Sequence, residues 1–97
     1  MEQSQWLKSR MTKEEMQEYT QTEIDGHDIT MFTKGTCSSC KAAEKLFCKC
    51  GVKTNIVELD MLVEGRDMQS YLKKKTGQKT VPNIFIKSKH FGGFSDL

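Results

Sequence analysis

A chain of 97 residues, 36% hydrophobic and 29% charged, holds one domain and is too short for two independent cores. Its formal net charge of +2 is too small to mark it for nucleic acid or an anionic membrane. No apolar run approaches the roughly 18 residues of a spanning helix. The opening Met1-Glu2-Gln3-Ser4-Gln5-Trp6 has neither the basic start nor the apolar stretch of a secretory signal. A cytoplasmic protein is expected, with an organelle open if a targeting segment has been removed.

Residues 1–28 are polar and weakly patterned. Thr12-Lys13-Glu14-Glu15 has capping-box spacing and predicts a short helix from about residue 13 to 22, stopped by Asp25-Gly26. Residues 1–28 are therefore read as an N-terminal extension, partly helical with a mobile leader, and residues 29–97 as the domain. Ile29-Thr30-Met31-Phe32-Thr33 is a β-prone run ending in the loop Lys34-Gly35-Thr36. Cys40, Ala43, Leu46, Phe47 and Cys50 then fall at helical spacing, and Gly51 supplies a left-handed stop. Asn55 to Leu59 reads as a second strand. Met61 to Lys75 reads as a helix with Met68, Tyr71 and Leu72 on one face, closed by Gly77. Asn83 to Lys87 and Lys89-His90-Phe91 read as third and fourth strands. The order β-α-β-α-β-β gives an α/β domain. Its first two strands are parallel through a right-handed crossover, and its last two form an antiparallel hairpin.

All four cysteines, Cys37, Cys40, Cys48 and Cys50, crowd one short stretch. A disulfide scaffold spreads its cysteines to close long loops, so redox catalysis and metal binding are the readings to weigh. Cys37-Ser38-Ser39-Cys40 sits where a strand hands over to a helix. There the first cysteine meets unpaired backbone N–H groups and the positive end of the helix dipole, which favours a thiolate. Lys34 and Lys41 add positive charge, and no acid lies between Phe32 and Ala43. Cys37 is thus the expected nucleophile, and Cys40, one turn in and shielded, the resolving thiol. Zinc on all four sulfurs is the lesser alternative. Cys50 shares the core stripe with Leu46 and Phe47 and is expected to be a small core residue, while Cys48 lies off that stripe as an exposed bystander.

These residues carry a family resemblance. Phe32-Thr33-Lys34-Gly35-Thr36-Cys37-Ser38-Ser39-Cys40-Lys41, Leu46-Phe47, Gly51-Val52 and Val57-Glu58-Leu59-Asp60 resemble successive segments of glutaredoxins. So do Gln69, Leu72, the run from Thr76 to Ile86, and Gly92-Gly93-Phe94-Ser95-Asp96. The resemblance implies a thioredoxin-like fold, a four-stranded mixed sheet flanked by helices, with a cis Pro82 facing the cysteines. It implies a glutathione-dependent oxidoreductase acting on protein–glutathione mixed disulfides and small disulfides. Lys34 and Gln69 would hold the glycine carboxylate of glutathione, with Lys79 assisting as a point charge. Thr80, Val81 and Pro82 would form the wall on which the Val81 backbone pairs with the cysteinyl unit. Backbone N–H groups near Ser95 and Asp96 would take the γ-glutamyl carboxylate, and the Asp96 side chain the ammonium.

Two departures stand out. Many glutaredoxins carry proline and an aromatic between the cysteines, where this chain has Ser38 and Ser39. Serine at the first position goes, in the family, with a [2Fe–2S] cluster shared by two chains through the nucleophilic cysteine, here Cys37, and one glutathione each. On that alternative the apo protein is a monomer and the cluster-bound form a dimer. The family also continues beyond the position of Leu97, so a truncated C-terminal helix is expected. The implied partners are glutathione and glutathionylated or disulfide-bonded proteins, with no nucleic acid and no membrane.

Overall fold

The computed structural model describes residues 11–97; the leader expected before them lies outside that range. Helix α1 (Lys13–Asp25) is followed by strand β1 (Ile29–Thr33), helix α2 (Ser38–Lys49) and strand β2 (Asn55–Glu58). A 3-10 turn at Leu59–Met61, helix α3 (Gly65–Thr76), strands β3 (Asn83–Ile86) and β4 (Lys89–Gly92), and a second 3-10 turn at Phe94–Asp96 complete the chain. The sheet order is β2-β1-β3-β4. β1 and β2 are parallel and β3 and β4 antiparallel, as the element order predicts, and β3 also runs antiparallel to β1. The chain thus has the thioredoxin-like α/β architecture that the resemblance implies.

The capping box forms as the spacing predicts. Thr12 Oγ1 accepts from the Glu15 N–H at 3.1 Å, and Glu15 Oε1 accepts from the Thr12 N–H at 2.9 Å. This satisfies donors that a bare helix start would leave open. Helix α1 runs on to Asp25, and its Met16 and Ile24 are buried with Phe32, Val57, Leu59, Met68, Leu72 and Phe85. The Met11 N–H donates to Glu64 Oε2 at 2.8 Å, tying the start of α1 to the start of α3. The first face of the sheet is therefore covered by α1 and α3 together.

Strand alternation sends the neighbouring residues to the other face. There Ile29, Met31 and Ile84 are buried with Ala43 and Phe47 of α2. On the first face Phe32 and Phe85 meet edge-on, ring centroids 5.9 Å apart at 83°. Such a pair adds about 0.5–1.5 kcal/mol beyond its area burial.

Two expectations need correction. Cys40, Ala43 and Phe47 face the core, but Leu46 is 40% exposed and Cys50 is exposed at the C-cap of α2. The second core is small and ends at Phe47, so the last turn of α2 has no partner to cover it. The helix expected from Met61 starts only at Gly65. Residues 59–61 form a 3-10 turn, and the chain then bends so closely that a Cβ at residue 65 would collide with the Leu59 carbonyl. Glycine is the residue that allows this approach. Helix α3 ends at Gly77 in the left-handed region, φ 84°, as read. Among the described residues no helix is long and apolar enough to cross a membrane.

Candidate active site

Cys37 is the N-cap of α2, at the end of β1. Its backbone is extended, φ −91° and ψ 111°, and its Sγ accepts from the Cys40 N–H at 3.1 Å. A sulfur at this position receives one of the helix's free N–H groups and lies at the positive end of its dipole. Cys37 is half-buried, whereas Cys40 is 1% exposed. Burial first, and the hydrogen bond with Cys37 second, push the Cys40 thiol up from 9.0 to about 12. Two thiols one helical turn apart therefore have distinct conditions: one at the helix entrance, the other held protonated behind it.

The opposite wall is the loop before β3. The Val81–Pro82 peptide is cis, and Cys37 Sγ lies 3.6 Å from the Val81 carbonyl oxygen. That loop is held from two sides. Gln78 Nε2 donates to the carbonyls of Thr80 and Pro82, both at 3.0 Å, and Gln69 Nε2 of α3 donates to the Lys79 carbonyl at 2.9 Å. On the other side of the cysteine, the Cys37 N–H donates to the Lys34 carbonyl at 3.1 Å. The Gly35 N–H donates to Asp60 Oδ2 at 2.9 Å, which fixes the loop Lys34–Thr36 against the end of β2. Lys34, Thr36, Asp60, Arg66, Asp67 and Gln69 line a groove of about 700 Å³ beside this loop. Lys34, Arg66 and the Gln69 amide offer donors for a carboxylate there, beside the acids Asp67 and Asp60, the latter already accepting from Gly35.

The glutaredoxin family model matches residues 29–91 of this chain. The chain belongs to the glutaredoxin family. It is 49% identical over 74 residues, 76% of this chain and 73% of the other, to glutaredoxin-1 of Rhizophagus irregularis. Among solved structures it resembles a buckwheat glutaredoxin–glutathione complex, at a TM-score of 0.84 and 33% identity, over 87% of this chain and 76% of that one. It also resembles the holo form of glutaredoxin C1 from Populus tremula x tremuloides, at a TM-score of 0.81 and 32% identity, over 84% and 80%. As a glutaredoxin the chain is a glutathione-dependent thiol oxidoreductase.

The other residues named from the sequence fall around this centre in different ways. Ser95 and Asp96 lie in a 3-10 turn after Gly92-Gly93, not in a longer helix, and Asp96 Oδ2 accepts from the Gly93 N–H at 2.8 Å. Gly92 has φ 135°, and a Cβ there would collide with the Asp96 carboxylate, so this glycine lets the acid fold back. Lys79 is exposed and joins the network through its carbonyl. Cys48 is exposed, as read. Cys48 and Cys50 stand at the far end of α2, roughly 16–20 Å along the helix from Cys37 at ~1.5 Å per residue. Among the described residues, no group of three or more His, Cys, Asp or Glu stands ready to hold a metal ion.

Asp60 and Gln78 were within the matched segments but carried no role in the sequence reading. Each is a single polar side chain reaching the backbone of a loop. Such bonds leave no periodic signature; only the short turn-rich stretches they brace hint at them.

Proposed function

We propose that this glutaredoxin reduces protein–glutathione mixed disulfides and small disulfides by a glutathionyl transfer to Cys37. The observation that carries the reading is the pairing of a half-exposed Cys37 Sγ, N-capping α2 and facing the Val81 carbonyl, with a buried and protonated Cys40. The Cys37 thiolate attacks the glutathione sulfur of the mixed disulfide. The new S–S bond forms as the old one breaks, and the substrate leaves as a thiolate that takes up a proton. A second glutathione thiolate then attacks the glutathionyl sulfur, releasing glutathione disulfide and restoring Cys37. For a substrate with an internal disulfide, Cys40 gives up its proton and resolves the Cys37–protein bond, leaving a Cys37–Cys40 disulfide for glutathione to reduce.

Glutathione takes up the positions the residues offer. Lys34 and Gln69 bind its glycine carboxylate, with Lys79 as a further point charge. The Gln69 amide has two N–H donors; the Lys79 carbonyl accepts from this nitrogen, and the same side chain lines the groove, leaving one N–H for the carboxylate. Thr80, Val81 and Pro82 form the wall for the cysteinyl unit. At Ser95 and Asp96, one carboxylate oxygen of Asp96 accepts from Gly93 and the other remains for the γ-glutamyl ammonium, while backbone N–H groups meet the neighbouring carboxylate.

The test is reduction of hydroxyethyl disulfide with glutathione as reductant. Activity is expected in the wild type and absent in Cys37→Ser. Lys34→Ala and Gln69→Ala should each raise the KM for the glutathionylated substrate roughly five- to tenfold with a smaller fall in kcat, because they hold the non-reacting end. An unchanged KM in both would remove the groove from the glutathione site.

A second reading is supported by the exposed Ser38, in place of a proline that would stiffen the turn beside Cys37. On it, Cys37 is the residue of each chain that would hold a [2Fe–2S] cluster, with two glutathione thiolates completing four sulfur ligands. Anaerobic reconstitution with iron, sulfide and glutathione, followed by size exclusion, is expected to give a coloured dimer. Colour that fails to travel with a dimer rejects it.

A further inference from the structure

Thr33, the last residue of β1, is 1% exposed, and its Oγ1 has no hydrogen-bond partner among the described residues. A buried hydroxyl in that condition is rare, because the water it gave up has not been replaced. Strand alternation fixes the face on which it lies. Ile29 and Met31 belong to the core beneath α2, so Thr33, two residues on, presents its side chain to the same face. Phe32, between them, belongs to the core under α1 and α3.

Helix α2 returns antiparallel to β1, as it must for β2 to run parallel to β1. One helical turn advances roughly 5.4 Å and two strand residues roughly 6.6 Å, so the two buried rows keep step. Phe47 and Ala43 pack in one core with Ile29 and Met31. The next buried residue toward the start of α2 is Cys40, and the next inward residue toward the end of β1 is Thr33. The backbone agrees: the Lys34 N–H, one residue past Thr33, stands against the Cys40 sulfur and works against the upward push of burial. The orphan hydroxyl and the buried thiol thus share one end of the layer between sheet and helix.

In the dithiol step Cys40 attacks the Cys37 sulfur of the Cys37–protein disulfide. The Cys37–Cys40 bond forms and the Cys37–protein bond breaks. The departing protein sulfur takes the electron pair and, in sum, the proton that Cys40 gave up. Negative charge therefore develops on a sulfur kept from water, where each hydrogen-bond donor counts for more than at the surface. The Lys34 N–H is one donor, and a threonine hydroxyl, which turns about its own C–O bond, can supply a second. Resting on the proposed role of Cys40 as the resolving thiol, we infer that Thr33 is a positioning residue for that step: its hydroxyl donates to the Cys40 sulfur as the thiolate forms and attacks Cys37. Glutathionyl transfer through Cys37 alone never charges Cys40 and does not call on this donor.

The test uses the chromogenic disulfide dithiobis(nitrobenzoate) on protein carrying Cys48→Ser and Cys50→Ser, so that only the two working thiols react. Cys37 releases the first coloured thiolate at a rate proportional to reagent, and Cys40 releases the second from the Cys37 adduct at a rate independent of it. Thr33→Val keeps the shape and loses the hydroxyl. It is expected to slow the second release relative to the first by about tenfold or more, the scale of one hydrogen bond to a charged group. Thr33→Ser, which keeps a hydroxyl, should hold that ratio within about twofold of the parent. Should Thr33→Val not fold, Thr33→Ala, which also lacks the hydroxyl, takes its place in the same comparison. An unchanged ratio without the hydroxyl, or a ratio that serine fails to restore, would overturn the assignment. A first release with no second in the parent protein would remove Cys40 as the resolving thiol and this inference with it, while glutathionyl transfer to Cys37 would stand.

Discussion

Helix α2 has a cysteine pair at each end, and the two pairs have opposite circumstances. At the N-terminal end, Cys37 caps the helix, receives an N–H on its sulfur and faces the Val81 carbonyl, while Cys40 is buried behind it. At the C-terminal end, Cys48 and Cys50 are both exposed, next to the helix carbonyls rather than its N–H groups. The dipole that favours an anion at the first end opposes one at the second. Residues at i and i+2 also point to different sides of a helix, so Cys48 and Cys50 do not face each other as a working pair does. On the proposed function, position on the helix, rather than the presence of two nearby thiols, makes the redox centre.

The largest effect should come from exchanging the roles of the two ends. Cys37→Ser is expected to bring disulfide reduction to the uncatalysed background, whereas Cys48→Ser with Cys50→Ser should leave kcat/KM within about twofold, the range of surface substitutions that touch no working group. Loss of activity in the second variant, with the fold intact by circular dichroism, would break the comparison.

The packing contrast along the same helix is next in size. Phe47→Ala opens a cavity in the small core formed with Ile29, Met31, Ala43 and Ile84 and should cost about 3–5 kcal/mol in urea unfolding. Leu46→Ala, one residue away but 40% exposed, should cost about 1 kcal/mol or less. Equal losses would mean that the last turn of α2 is covered after all.

A smaller effect separates Cys40 from the exposed thiols through pH. In the unfolded chain the Cys40 thiol loses its proton near 9.0, but burial in the folded protein keeps the proton until about 12. Between those values the folded state binds more protons, so stability falls as pH rises from about 9 toward 12. Cys40→Ser should remove that part of the fall. Urea midpoints measured across this range decide it, and identical slopes for wild type and Cys40→Ser would contradict a buried, protonated thiol.

How much of this was legible in the sequence follows the same division. The capping box at Thr12 and Glu15, the stop at Gly77 and the succession of strands and helices are written in local chemistry and short-range spacing, whereas the β1–β3 pairing is not. The CxxC at a strand-to-helix junction is also local, and it placed Cys37 and Cys40 correctly at the start of α2. The misreadings concern extent. Helical spacing marked Leu46 and Cys50 as inward, but spacing says nothing about where the partner surface ends, and here it ends at Phe47. Met61-Leu62-Val63 looked like the first turn of a helix because its apolar content suits one. The close approach of Gly65 to the Leu59 carbonyl is a tertiary constraint that starts α3 later. The braces from Asp60 to Gly35 and from Gln78 to Thr80 and Pro82 depend on loops meeting in space, which no single stretch of sequence records.

The central claim is that the glutathionyl group passes to Cys37 and to no other thiol. It is tested most directly by mixing Cys40→Ser protein with one equivalent of a glutathionylated peptide, without free glutathione, and mapping the adduct by mass spectrometry of acid-quenched digests. The account predicts one glutathione per chain, on Cys37, with free peptide thiol released in equal amount. Glutathione found first on Cys48 or Cys50, with Cys37 unmodified, would contradict it.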